Sequence, residues 1–210
     1  MNDLLKVLAG FVLGYFLGSV STAVIVGKAY GKNILEHGSR SAGLTNTLRV
    51  LGKTAAAVVL VGDVSKGVVA CLTGLWLGVY LHAGAAVDCV GLLAAGAGAV
   101  IGHNWPVYFG FKGGKGALTG LTVLFMIDWR MALICLALFV AVVASTRFVS
   151  LGTITATAAF AVLSFVPGFA TTVYFNAFAC LMAFIVILKH RANVRRLLSG
   201  TENKLSFRSA

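Results

Sequence analysis

The sequence predicts an all-α protein, a polytopic bundle of membrane-crossing helices. Three observations carry that expectation. Apolar residues make up 59% of the 210 and charged residues only 11%, against roughly 25% charged in a soluble domain. The apolar residues fall in long blocks, many near the roughly 20 residues that a helix needs to cross a bilayer. Almost every Lys and Arg lies between or after those blocks, and the net charge is +11. Such an excess in a membrane protein points to cytoplasmic loops and, at times, to an anion site. Because the charges alternate with apolar blocks, nucleic acid is excluded as a partner.

Taken in order, the apolar blocks predict seven spans over 4–26, 54–81, 83–102, 114–128, 131–146, 150–166 and 169–188, in one integral-membrane domain, 1–210. In the first, Gly10, Gly14 and Gly18 recur every fourth residue, so one helix face lets a neighbouring backbone approach closely. A signal peptide is not expected here, since the block is long, has only Lys6 at its head and lacks a clear cleavage site. The second holds Asp63 and Lys66 three residues apart, hence on one face. Ionisable groups inside a span are paired or functional, and pairing is the simpler role here. Gly74 and Gly78 form a second small-residue face in this span, and the third is rich in Ala and Gly, with Asp88 near its outer end. The fourth is short: its twelve clearly apolar residues, Gly116 to Ile127, reach only about 18 Å of a roughly 30 Å hydrocarbon core. Asp128-Trp129-Arg130, Arg147 and Pro167-Gly168 separate the remaining spans.

Seven spans put the termini on opposite sides. All Lys and Arg except Lys6, Lys66 and Arg130 fall in the 28–53 loop, the central loop, Arg147 or the tail. The bias places these segments in the cytoplasm and the N-terminus outside. Cys71, Cys89, Cys135 and Cys180 stand singly in apolar surroundings without a metal-type spacing. His37 and His82 have no motif around them and are read as loop and interface residues.

The polar motifs therefore gather on one face. The 28–53 loop, irregular or partly helical, offers Ser39, Thr45, Asn46 and Arg49. The central loop offers His103, Asn104, Lys112 and Gly113-Gly114-Lys115-Gly116. The tail offers His190, Arg191, Asn193 and Arg195. A glycine-lysine loop feeding a helix N-terminus suits a phosphate, because amides and a cation converge on its oxygens. It is not a nucleotide P-loop, since Gly116 stands where Ser or Thr is required. His103 and Asn104 equally suit a helix end, and Arg196 and Lys204 suit lipid headgroups. With six acids in the chain, a metal cage or a paired-carboxylate mechanism is not expected. No His is followed five residues later by Asp, so a histidine base oriented in that way is absent. In acyl transfer the base would be a lone histidine or the substrate. A transporter would also use a basic mouth, but no inverted repeat is visible between the halves.

GSRSAGLTNTLRVLGK, DVSKG, GHNWPVYFGFKGGKGALT and KHRANVRRLL with GTENK, in this order, resemble the bacterial acyl-phosphate:glycerol-3-phosphate acyltransferase (PlsY) family over the whole chain. The resemblance implies a seven-span inner-membrane enzyme with its site on the cytoplasmic face. It would transfer a fatty acyl group from acyl phosphate to the sn-1 hydroxyl of glycerol 3-phosphate, releasing lysophosphatidate and phosphate. It implies no cofactor, no metal and no obligate protein partner, with a monomer embedded in membrane lipid. By the same resemblance Ser39, Arg49, Lys115, His190 and Asn193 become catalytic candidates. Substrate binding falls by resemblance to Asn46, Gly113, Gly114, Gly116, Ser150 and Glu202, and by their place in the gathered polar segments to Thr45, His103, Asn104 and Lys112. The chain departs from the family's usual GSGNIGATN at Arg40, Ser41 and Leu44, and also at Leu118 and Ala192. Arg40, which adds charge and bulk beside Ser39, is the departure most able to alter substrate contacts.

Overall fold

The computed structural model describes residues 2–80, 89–169 and 172–205. His82, Asp88, Arg208 and the 83–88 part of the expected third span lie outside the described residues. The chain divides into two compact units, Met1–Ile127 and Asp128–Ala210. Among the described residues regular structure is helical, with two isolated bridges, Tyr80 to Cys89 and Pro167 to Phe169.

The first unit contains α1 (Asp3–Ser19), α2 (Thr22–Ala29), α3 (Leu44–Leu51), α4 (Lys53–Leu77), α5 (Val90–Asn104) and α6 (Ala117–Ile127). The buried residues of α1 are Gly10, Gly14, Gly18 and Ser19, the small-residue face read in the sequence. A Cβ on Gly14 or Gly18 would overlap the backbone of Ala95 or Ala99 in α5. Conversely, one on Gly98 or Gly102 would overlap the backbone at Phe11 or Tyr15. The two helices thus touch main chain to main chain, which only small residues permit. Gly74 brings α4 equally close to Gly91 of α5. Gly78, expected on the same face as Gly74, instead caps α4 in the left-handed region, φ 65°, so α4 stops four residues before the expected Leu81.

The expected first span is interrupted. α1 ends at Ser19, Val20 and Ser21 are extended, and α2 resumes at Thr22. The interruption leaves the Val20 carbonyl without its helical partner, and Lys66 Nζ of α4 donates to it at 3.0 Å. Similarly, α3 and α4 are separated by Gly52 alone, at φ 87°.

The second unit contains α7 (Trp129–Thr146), α8 (Val149–Leu163), α9 (Val173–Lys189) and α10 (Arg191–Leu198). Asp128 caps α7, its Oδ1 accepting from the Arg130 amide at 2.9 Å and the Met131 amide at 3.3 Å. Phe160 of α8 packs edge-on against Phe175 and Phe178 of α9, with ring centroids 6.0 and 6.4 Å away. α9 and α10 meet at a 58° bend centred on His190.

Three described helical segments are long and apolar enough to cross a membrane, Asp3–Ala29, Lys53–Leu77 and Trp129–Thr146. The bent α9–α10 pair makes a fourth, while α6 and α8 are shorter. The short α6 was expected from its twelve apolar residues. α8 and the start of α9 are shorter than the expected 150–166 and 169–188 because Ser164 caps α8 and Thr172 caps α9, its side chain accepting from the Phe175 amide.

Candidate active site

In the first unit, Asn46 organises the 28–53 loop. It is 1% exposed. Its Nδ2 donates to the Ile34 carbonyl at 3.0 Å and the His37 carbonyl at 3.1 Å, while its Oδ1 accepts from the Ser39 amide at 2.7 Å. Buried loop carbonyls need such partners because water cannot reach them. Asn46 was expected to bind substrate; the structure gives it the task of shaping the turn that presents Ser39. Thr45 is half-buried and Arg49 is exposed on α3. Arg40 lies in that turn at φ 53°, a left-handed conformation that suits glycine. A glycine, which the resemblance led one to expect at this position, would adopt it without strain.

The central loop joins this turn by backbone. The Ala42 amide donates to the Gly113 carbonyl at 3.3 Å, and the Gly114 amide to the His103 carbonyl at 2.9 Å. A Cβ on Gly114 would overlap the His103 ring and press on the Ala42 carbonyl; one on Gly113 would overlap the His103 carbonyl. Gly116, at φ 78°, sits over the Asn104 amide. The glycines are thus required for close approach of the loop to the end of α5 and the Ala42 turn, and the Gly114 amide, expected to face a phosphate, is taken by the His103 carbonyl. His103 and Asn104 form the last turn of α5, beneath the loop. Lys112 is exposed and Lys115 half-buried. The first and second motifs therefore belong to one surface.

The third motif assembles in the second unit. Glu202 Oε1 accepts from Ser150 Oγ at 2.8 Å and Asn193 Nδ2 at 2.7 Å, and Oε2 accepts from Arg196 Nε at 2.7 Å. The carboxylate side chain is 4% exposed. Burial pushes its pKa up, but the bonds from Asn193, Ser150 and Arg196 and the Arg196 charge outweigh it, so the group is held below the usual carboxylate range. Ser150, Asn193 and Glu202, each singled out by the resemblance, meet around one carboxylate. Arg196, read as a headgroup contact, is instead Glu202's counterion; its place three residues after Asn193 on one helix face was the available signal. His190, 3% exposed, lies at the bend, with Nδ1 2.7 Å from the Val186 carbonyl. A carbonyl only accepts, so Nδ1 carries a proton.

The sequence model of the glycerol-3-phosphate acyltransferase family matches residues 8–200. The chain belongs to the glycerol-3-phosphate acyltransferase (PlsY) family. A relative named glycerol-3-phosphate acyltransferase from Thermoanaerobacter pseudethanolicus is 40% identical over 195 residues, covering 92% of this chain and 93% of its own. Another so named, from Clostridioides difficile, is 42% identical over 204 residues, with 92% and 93% covered. The crystal structure of PlsY (YgiH), an integral membrane glycerol 3-phosphate acyltransferase, in its glycerol 3-phosphate form matches with a TM-score of 0.86. It is 32% identical, with 95% of this chain and 96% of that one covered. Its lysophosphatidic acid form matches with a TM-score of 0.83. With its apolar helices, this PlsY family member is a membrane protein.

Proposed function

We propose that this protein transfers a fatty acyl group from acyl phosphate to the sn-1 hydroxyl of glycerol 3-phosphate. Seven spans would carry it through the inner membrane, with the N-terminus outside and the site facing the cytoplasm. Family membership supports the acceptor. The observation that best supports an acyl-phosphate donor is the backbone union of the Ser39 turn with the glycine-lysine loop, Ala42 to Gly113 at 3.3 Å. In this reading Arg49 and Lys115 serve one anion-binding surface. Acyl phosphate is a mixed anhydride, already activated. The chain's task is to place the hydroxyl against the carbonyl and to stabilise charge moving onto phosphate.

The hydroxyl oxygen attacks the acyl carbonyl, the bond from that carbonyl to the phosphate oxygen breaks, and phosphate leaves with the electron pair. Glu202 is a poor acceptor for the hydroxyl proton, because its oxygens already take three donors and its carboxyl is held ionised. In this reading a substrate phosphate takes the proton. His190, Asn193 and Ser150 serve glycerol 3-phosphate, the latter two through the shape that Glu202 imposes.

Purified protein given palmitoyl phosphate tests the reading. Phosphate release that requires glycerol 3-phosphate and is lost in Lys115→Ala supports it. Full activity in that variant would remove the loop from the account, and no release by folded wild type would remove the reaction. His190→Ala probes the proton: a kcat lower by several orders at unchanged KM would make His190 the base.

A further inference from the structure

Beneath the glycine-lysine loop lies a buried cluster that the reaction as described does not use. Asp63, Lys66 and His103 are 1%, 7% and 5% exposed. Lys66 Nζ stands 2.7 Å from Asp63 Oδ1, 3.0 Å from the Val20 carbonyl and 2.9 Å from His103 Nδ1. Asp63 Oδ1 is 3.8 Å from the same ring nitrogen. An ammonium has three donors and no acceptor, and three acceptors surround this one.

That geometry decides the histidine. Paired with a carboxylate at 2.7 Å, Lys66 is the ammonium and donates, so Nδ1 must accept and the ring proton sits on Nε2. A histidine's function depends on which nitrogen is protonated, and the partner of the other nitrogen decides it. The ring's Nε2 edge abuts Gly114, where a Cβ would overlap it, and the His103 carbonyl accepts the Gly114 amide at 2.9 Å. Ring and carbonyl of one residue thus both bear on one glycine of the loop.

We propose that Lys66, with Asp63, is a positioning residue for the glycine-lysine loop: it fixes the proton and orientation of His103, and His103 fixes Gly113–Gly116. The pair is then more than a neutralised charge in a helix. The extended break at Val20 completes the device by freeing a carbonyl for the third donor. This inference rests on the acyl-transfer reading for its kinetic consequence but not for its structural one.

The test uses the full chain in detergent, with two variants and two readouts. Asp63→Asn/Lys66→Met removes the pair without stranding a charge. Asp63→Asn alone keeps the lysine as a donor to His103. Side-chain 15N spectra of histidine-labelled protein, assigned with His103→Gln, should show Nε2 protonated and Nδ1 bare in wild type and in Asp63→Asn. The double variant should lose that single form. Its KM for palmitoyl phosphate should rise about tenfold or more, the scale of one lost buried hydrogen bond, while kcat changes less. Asp63→Asn leaves a buried ammonium without its carboxylate, so its Tm should fall, while its KM should rise less than that of the double variant because the Lys66 donor to His103 remains. A wild-type spectrum with the proton on His103 Nδ1 overturns the proposal. So does a double variant with wild-type KM, or one whose kcat alone falls. If the double variant does not fold, the wild-type and Asp63→Asn spectra decide. Wild type without phosphate release would refute the acyl-transfer reading, and the spectra would still judge the lysine–histidine bond.

Discussion

Replacing Glu202 by Gln keeps its size and removes one charge. Consider the amide with its oxygen where Oε1 now lies. Ser150 and Asn193 keep an acceptor, but each bond falls from charge-assisted to neutral, a loss of about 1 kcal/mol apiece. The amide nitrogen then faces Arg196 Nε, donor against donor. Because Arg196 is 32% exposed, water recovers part of that bond and the loss there is again about 1 kcal/mol. In the other orientation Arg196 keeps an acceptor and the Ser150 hydroxyl can turn to accept, but Asn193 Nδ2 faces a donor, a comparable loss. The total, about 3 kcal/mol, corresponds to a fall in Tm of roughly 6–12 °C for a chain of this size. A thiol-reactive fluorophore that reads the buried Cys71, Cys89 and Cys135 as they become accessible on heating would measure it. The dependence on pH has a defined sign. A carboxyl held below its unfolded value contributes its full stability above about pH 4.5 and loses it as pH falls through the folded value. The gap between wild type and Glu202→Gln should therefore be full at neutral pH and close in strong acid. Equal Tm values at neutral pH, or a gap unchanged in acid, would refute the assignment of Glu202 as the organising anion of the tail.

Gly18→Val should destabilise by about 3 kcal/mol or more, since its Cβ has only Ala99 backbone to displace; Gly120→Ala in α6, where a Cβ meets nothing within 4 Å, should instead stabilise by about 1 kcal/mol in the same thermal assay. Arg40→Gly should stabilise by about 0.5–1 kcal/mol by relieving φ 53°, and unchanged or lower Tm would show that the arginine side chain holds the turn. Asn46→Ala strands two carbonyls and the Ser39 amide, so it should cost about 2–4 kcal/mol and raise the KM of the acyl donor; a kinetic loss without a thermal one would make Asn46 a substrate contact after all.

The helical class and the glycine face of α1 were legible because hydropathy and spacing act locally. Asp63 with Lys66 was legible as a pair for the same reason. Their histidine was not: His103 lies 37 residues from Lys66, and nothing local links a last-turn residue of α5 to the middle of α4. The break at Val20 escaped reading because Val20 and Ser21 are neither Gly nor Pro, and the carbonyl it frees is satisfied from α4. Asn46 carries the signature of a substrate ligand and that of a loop organiser in one residue type, and only burial separates them. Arg196 looked like a headgroup contact because its acid, Glu202, follows α10 across a turn at Gly200. Ser150, Asn193 and Glu202 were singled out one by one through family resemblance, but their meeting was not legible, since one-dimensional spacing says nothing of a helix start meeting a tail.

The placement of Asp63 and Lys66 three residues apart on α4 bears on how the protein is made. Two lone charges near the middle of an apolar helix would each cost about 2.5–3.5 kcal/mol to insert. Here the counterion travels in the same helix, one turn away, and can close before any other helix arrives. The nascent segment thus enters lipid as a local dipole, with one donor engaged and two still seeking acceptors. Those two are met only when the kinked first helix and the end of α5 dock. The unmet donors make undocked α4 the costly state, and so give the assembling chain a reason to bring these three elements together before the others.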